Sequence, residues 1–156
     1  MKNKFVYVIY IRTTQQKLWD ALTKPELTKK YWCNSHQESD WRQGSPWRIV
    51  LPDGTTTDMG EIIEIDPPKK LVLKWQNEWR PELKAEGPSR ATIFLEPVGD
   101  TIKLTVTHEI EKDDSKFLGA VSNGWPAILS SLKSLLETGE SHEHTRKTPT
   151  RDKCIV

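Results

Sequence analysis

Two polar residues stand in stretches that otherwise read as buried strand, and any chemistry should begin there. Met59, Glu61, Ile63 and Ile65 share one strand parity, and Ile102, Leu104, Val106 and His108 share another. Residues two apart in a strand face the same side. The spacing therefore predicts that Glu61 and His108 both point inward, near strand ends. An inward carboxylate and imidazole suit acid–base work or the orientation of a bound molecule. No nucleophile, third orienting residue or metal cluster accompanies them. A satisfied ion pair or an exposed strand end explains both more simply, so no catalytic residue is assigned.

The tryptophans are the compositional outlier, seven in 156 residues. Trp19 reads as core, because its short helix must pack on something. Trp75 shares parity with Leu71 and Leu73, and Trp125 lies on an apolar helix stripe. Trp32, Trp41, Trp47 and Trp79 fall near strand ends or loops. Aromatic side chains around a cavity suit a flat apolar ligand. The candidate lining is Trp32, Trp41, Trp47, Met59, Glu61, Trp75, Trp79, His108, Trp125 and Leu129.

Other groups carry less. His142-Glu143-His144 belongs to a polar tail and reads as solvated. Cys33 reads as an inert, at least half-buried thiol. Cys154 is third from the end, so the prenylation pattern is absent. Two cysteines make no disulfide framework; a reducing compartment, and hence a cytoplasmic location, is expected. No GxGxxG, P-loop, HExxH or GxSxG occurs, and neither cofactor nor metal is expected. The balance of 23 Lys+Arg against 22 Asp+Glu gives +1, which excludes nucleic-acid or anionic-membrane partners that rely on bulk positive field. The longest apolar run, Phe5 to Ile11, is seven residues, too short to span a membrane. Arg12 follows it with no small-residue cleavage site, so it reads as a first strand rather than a signal peptide.

The elements that must position these groups follow from periodicity and turn signals. Residues 4–12 are apolar on both parities, as a central strand buried on both faces would be. Capping boxes at Thr13–Gln16 and Thr23–Glu26 open two short helices, the first ending near Leu22 and the second near Tyr31. Turn signals at Gln43-Gly44, Pro52-Asp53-Gly54, Asp66-Pro67-Pro68, Glu86-Gly87-Pro88 and Pro97–Asp100 separate strands near 40–43, 46–51, 56–66, 70–79, 88–96 and 101–110. Such short connections make the strands antiparallel. Phe117, Val121, Trp125, Ile128, Leu129, Leu132, Leu135 and Leu136 form one helical stripe ending at Gly139, with a kink or fresh start expected at Pro126. The architecture expected is α+β: a curved antiparallel sheet of six or seven strands gripping a long C-terminal helix, with two short helices after the first strand. Residues 1–139 form this domain, and 140–156 a polar, mobile tail.

Leu18-Trp19-Asp20-Ala21-Leu22-Thr23 with Pro25-Glu26 resembles a signature of the SRPBCC superfamily, the START and birch-pollen-allergen-like helix-grip fold. Asp53-Gly54, Gly60-Glu61, Asp66-Pro67-Pro68-Lys69-Lys70-Leu71 with Trp75, Ser89-Arg90-Ala91-Thr92, Leu104-Thr105-Val106-Thr107-His108 and Gly124-Trp125-Pro126 extend the likeness over roughly residues 4–138. Within the superfamily the chain resembles the branch named after the activator of the heat-shock-protein-90 ATPase. The resemblance implies a cavity beneath the long helix that holds a hydrophobic molecule, and brings no universal catalytic residues. The function expected is non-catalytic binding of a small hydrophobic or amphipathic molecule between sheet and helix. A chaperone-cofactor-like interaction module, with a chaperone partner or a homodimer, is the alternative; the absence of the second domain such cofactors pair with ranks it second. A cyclase- or hydrolase-like enzyme using Glu61 or His108 comes third.

Overall fold

The computed structural model describes residues 3–151; Cys154 lies outside them. The chain runs β1 (Asn3–Ile11), α1 (Gln15–Thr23), α2 (Pro25–Thr28), β2 (His36–Ser39), β3 (Pro46–Val50), β4 (Thr56–Asp66), β5 (Lys70–Asn77), α3 (Pro81–Lys84), β6 (Ser89–Val98), β7 (Thr101–Ile110) and α4 (Lys116–Thr138). The seven strands form one antiparallel sheet in the order β1-β7-β6-β5-β4-β3-β2. The sheet curves around α4, and this is the helix-grip fold expected from the sequence.

Local chemistry accounts for the helices. Thr14 caps α1, its Oγ1 accepting from Lys17 N–H at 3.2 Å, one residue later than the capping box predicts. Ser115 caps α4 through Leu118 N–H, and the Glu86 carboxylate accepts from the Lys116 and Phe117 N–H groups. These are donors that a helix start leaves unpaired. Gly139 ends α4 in the left-handed region at φ 89°, as helix C-termini favour. Pro126 does not split α4. Phe117, Val121, Trp125, Ile128, Leu129 and Leu132 bury its apolar stripe against the sheet.

Four sequence expectations change. β1 is an edge strand, not a central one. Its alternate residues pack inward, while Val6, Val8 and Tyr10 stand exposed on the outer face. The strand is apolar on both parities because its outer face is apolar as well. The edge itself is partly occupied by α4: Lys133 Nζ donates to the Tyr10 carbonyl at 2.6 Å, and Arg12 N–H donates to Glu137 at 2.8 Å. β2 lies at His36–Ser39, and 40–43 is its turn.

The third change is the face of β4. Its register shifts between Ile62 and Glu64, and such a bulge moves following side chains to the other face. Gly60 lies opposite Trp75 and Trp47, so Asp58, Gly60 and Ile62 face inward while Met59 and Glu61 are exposed. Reading one uninterrupted parity through this strand picks the wrong set.

The fourth concerns the tail. Residues Glu143–Thr145 form a 3-10 turn seated on α4. Thr145 is fully buried. Its hydroxyl donates to Ser131 Oγ at 2.6 Å, which also accepts from His142 N–H at 2.8 Å. Cys33 N–H donates to the Thr145 carbonyl at 2.7 Å, and Asn34 Nδ2 to Thr148 Oγ1 at 3.0 Å. Among the described residues of the tail, His142, Thr145 and Thr148 dock by hydrogen bonds rather than by apolar contact. Truncation after Gly139 is therefore expected to cost about 1–3 kcal/mol in urea unfolding, since it leaves buried polar groups without partners. An unchanged midpoint would show that these contacts contribute nothing.

Candidate functional site

The interior beneath α4 is a cluster of interlocked rings. On the inward face, Trp47 of β3 and Trp75 of β5 flank Gly60 of β4. With no side chain between them, the two indoles meet at a centroid distance of 4.7 Å. A Cβ at Gly60 would overlap the Lys74 carbonyl oxygen, so the backbone approach itself demands glycine here. Trp125 of α4 meets Trp75 edge-on at 5.6 Å, and Trp32 meets Trp125 at 5.4 Å and Trp75 at 6.3 Å. His108 packs on Trp75 at 5.1 Å and on Phe117 at 5.1 Å. Trp32, Trp47, Trp75, Trp125, Leu129 and His108 are all buried.

The polar atoms in this cluster are satisfied by one another. An indole nitrogen only donates. Trp125 Nε1–H lies 3.1 Å from His108 Nδ1, so Nδ1 accepts and Nε2 carries the proton. Nε2–H then donates to Ser89 Oγ at 2.8 Å, and Ser89 donates to the Trp75 carbonyl at 2.9 Å. Every donor in this relay has one direction, and it ends on a backbone oxygen. Burial pushes the His108 pKa down to about 3, so the ring stays neutral. At the other end of Trp75, its Nε1–H donates to Asp58 Oδ1 at 2.9 Å, Thr57 Oγ1 donates to Oδ2 at 2.8 Å, and Asn77 Nδ2 donates to Oδ1 at 3.4 Å. Burial nevertheless pushes the Asp58 carboxyl up to about 7, against the lowering effect of these three donors, and nearby Glu78 adds to the rise.

The sequence-predicted residues divide accordingly. Trp32, Trp47, Trp75, Trp125, Leu129 and His108 come together as buried residues, the rings packed on one another. Glu61 and His108 do not converge: Glu61 is on the solvent face of β4, opposite Lys74 of β5. Trp79 is half-buried on the turn after β5, where its backbone N–H donates to Asn77 Oδ1 at 3.0 Å. Among the described residues, no group of three His, Cys, Asp or Glu side chains is placed to hold a metal ion. His142 and His144 stack on each other at 6.0 Å.

Open space lies at the rim. A groove of about 580 Å³ runs between α2 and the β2–β3 hairpin, lined by Pro25, Gln37, Trp41, Pro46, Met59 and Trp47, with Glu38, Ser39, Asp40 and Arg48 around them. Trp41 adopts φ 55°, a conformation costly for a bulky side chain. It is held there by serines: Ser39 Oγ accepts from the Trp41 backbone N–H at 3.0 Å and lies 3.2 Å from Ser45 Oγ, which donates to the Arg42 carbonyl at 2.7 Å. Glu38 joins His36 at 2.8 Å and Arg48 at 2.5 Å, and these two hold its carboxyl below the usual range. Sequence reasoning missed Gln37, Asp58 and Ser89. Gln37 was hidden by the misplaced β2 and Asp58 by the reversed parity of β4; nothing in the sequence marks Ser89 as the acceptor for His108.

A family model described as Activator of Hsp90 ATPase homolog 1-like protein matches residues 12–137. The chain belongs to that family. It is thereby a member of the SRPBCC superfamily. MLL2253 from Mesorhizobium loti is similar at 23% identity over 86% of this chain and 97% of that one, with a TM-score of 0.73. The Aha1 dimer from Colwellia psychrerythraea is similar at 21% identity over 89% and 99%, with a TM-score of 0.72. An Hsp90 activator from Plasmodium falciparum is similar at 24% identity over 85% and 95%, with a TM-score of 0.67. At these identities the likeness is one of fold. A comparison with curated proteins returns no match. An Activator of Hsp90 ATPase homolog 1-like fold supports a ligand-binding or co-chaperone-like module. Among the described residues no helix is long and apolar enough to cross a membrane.

The buried pair gives a pH dependence with two limbs. The folded state holds a proton on Asp58 more tightly than the unfolded chain does, so its contribution is complete below the ordinary 3.8 and lost as pH rises towards about 7. His108 is the reverse: its contribution is complete above 6.5 and lost as pH falls towards about 3. Between the two ordinary values the limbs oppose each other and stability is nearly flat. Asp58→Asn keeps an oxygen for Trp75 and removes the first limb. Its stability relative to the parent should rise with pH from 3.8 to about 7, by up to about 1.4 kcal/mol per unit. Urea unfolding of both proteins across this range measures it; a constant difference would mean that Asp58 is ionised in the fold throughout.

Proposed function

We propose that the protein binds a small apolar molecule, without transforming it, in the rim groove between α2 and the β2–β3 hairpin rather than beneath α4. The observation that carries this reading is the strained Trp41. A tryptophan held in the left-handed region by two serines, half-buried beside open space, is a cost the fold would shed unless the ring's position served something. The groove volume of about 580 Å³ lies in the range of small-molecule sites. Trp41, Trp47 and Met59, three of the residues expected to touch ligand, line it. Catalysis is not part of the reading. His108 is neutral, buried and spent on a one-way relay, and Glu61 faces solvent, on the other side of the sheet from His108.

One observation favours a second reading, a co-chaperone-like module that docks an Hsp90-class chaperone. Val6, Val8, Tyr10, Phe94 and Val98 are exposed on the outer face of β1 and β6, and Val8, Thr105 and Phe94 form one cross-strand row through β7. Exposed apolar patches of this kind mark interaction surfaces. Relatives described as an Hsp90 activator and as a dimer are in keeping with it.

Titration with 2-acetylnaphthalene, followed by the indole N–H signals of the labelled protein, separates the two. Shifts are expected at Trp41 and Trp47, with Trp125 unmoved. Trp41→Ala should weaken binding about five- to tenfold, the worth of one aromatic contact. Shifts centred on Trp75 and Trp125 would return the ligand to the interior and sink the groove. Absence of binding, together with stimulation of a chaperone's ATPase that Val8→Glu abolishes, would establish the second reading instead.

A further inference from the structure

Resting on the groove reading, we infer the class of ligand: a flat, uncharged molecule with a carbonyl or similar acceptor oxygen, which meets the side-chain amide of Gln37. Gln37 is only 6% exposed and lines the groove. Its orientation is fixed. Trp47 Nε1–H lies 2.8 Å from Gln37 Oε1, and because an indole nitrogen cannot accept, the oxygen must face Trp47 and the amide nitrogen must face away. Among the described residues that nitrogen has no hydrogen-bond partner. It is not sealed in the core either, since no fully enclosed side-chain nitrogen or oxygen is left unpartnered among them. A nearly buried amide with two N–H donors thus opens on the groove, and leaving such a donor unmet is costly.

The surrounding charge selects among acceptors. Glu38 and Asp40 line the groove, against Arg48 alone. Arg48 is itself engaged: Nε and Nη2 both donate to Glu38 Oε1, and Nη1 donates to Thr56 Oγ1 at 3.3 Å. A carboxylate ligand would therefore meet a net negative rim whose only cation is already paired. A neutral acceptor meets the Gln37 donors with no such repulsion. The rest of the surface is apolar and broad, from Pro25, Pro46, Met59 and the Trp41 ring, which favours a planar apolar body over a compact polar one.

Three matched probes test this on the full chain: 2-acetylnaphthalene, 2-ethylnaphthalene and 2-naphthoate. They share the ring system and differ in having a neutral acceptor, none, or a charge. We expect the acetyl compound to bind about five- to tenfold more tightly than the ethyl compound, the range for one hydrogen bond, with naphthoate weakest and the Gln37 side-chain N–H signals shifted by the acetyl compound alone. Gln37→Glu at alkaline pH keeps an oxygen for Trp47 and removes the donors; the acetyl-to-ethyl ratio should fall to about one. Gln37→Met, which also lacks donors but carries no charge, should give the same ratio. A ratio read within each variant is insensitive to lost stability. Equal binding of the acetyl and ethyl compounds to the parent, tightest binding of naphthoate, or a ratio that survives both substitutions would overturn the assignment while leaving the groove as a site. Failure of all three to bind would instead remove the groove reading on which it rests.

Discussion

Trp75 is fully buried, and its indole N–H must find an acceptor where solvent cannot supply one. An unmet donor at that depth costs on the order of 1–3 kcal/mol. The acceptor is Asp58, one strand away, and a carboxylate so deep brings a desolvation cost of its own. Thr57 and Asn77 reduce that cost by donating to it. Burial still dominates, so the carboxyl holds its proton at pH values where a surface aspartate is ionised. From the same residue, the Trp75 carbonyl anchors Ser89, hence His108, hence Trp125 on α4. Four strands and the gripped helix are joined through one side chain and its own backbone oxygen.

That arrangement commits both ring nitrogens of His108 within the fold. A histidine whose two nitrogens are committed, one accepting from an indole and one donating to a serine, has no lone pair or proton to offer a substrate. The rings pack on one another where the sheet meets α4. Gly60 is the small residue that makes this packing feasible, since it lets Trp47 and Trp75 close over β4. Through these contacts the tryptophans join sheet to helix.

Much of the architecture was legible in sequence. Turn signals and the α4 stripe gave the strand count and the helix, and the Leu18–Glu26 signature gave the fold. What failed was facing. β4 carries a bulge at Ile62–Glu64, and bulges leave no mark in a parity pattern, so Glu61 was turned inward and Asp58 outward. β1 looked central because an edge strand with an apolar outer face has the same composition as a buried one. The tail looked mobile because hydrophobicity is the usual signal of docking, whereas Thr145 docks through its hydroxyl and its carbonyl. The candidate site was legible by residue type, in Trp41, Trp47 and Met59, and illegible by position.

Trp47 links these two regions. One face of its ring packs on Trp75 in the core at 4.7 Å, while its N–H holds Gln37 at 2.8 Å on the wall of the groove. Packing Trp47 on Trp75 also stiffens the groove wall, because Trp47 cannot turn without disturbing Trp75. A donor held by such a wall loses little freedom on binding, and preorganisation of that kind is where a shallow, open site can gain affinity that its area alone would not supply. On the proposed groove reading the strain at Trp41 serves the same end: the hairpin serines fix a ring that binding would otherwise have to order. On the proposed groove reading, the packing that Gly60 permits between Trp47 and Trp75 also fixes the wall that Trp47 shares with Gln37.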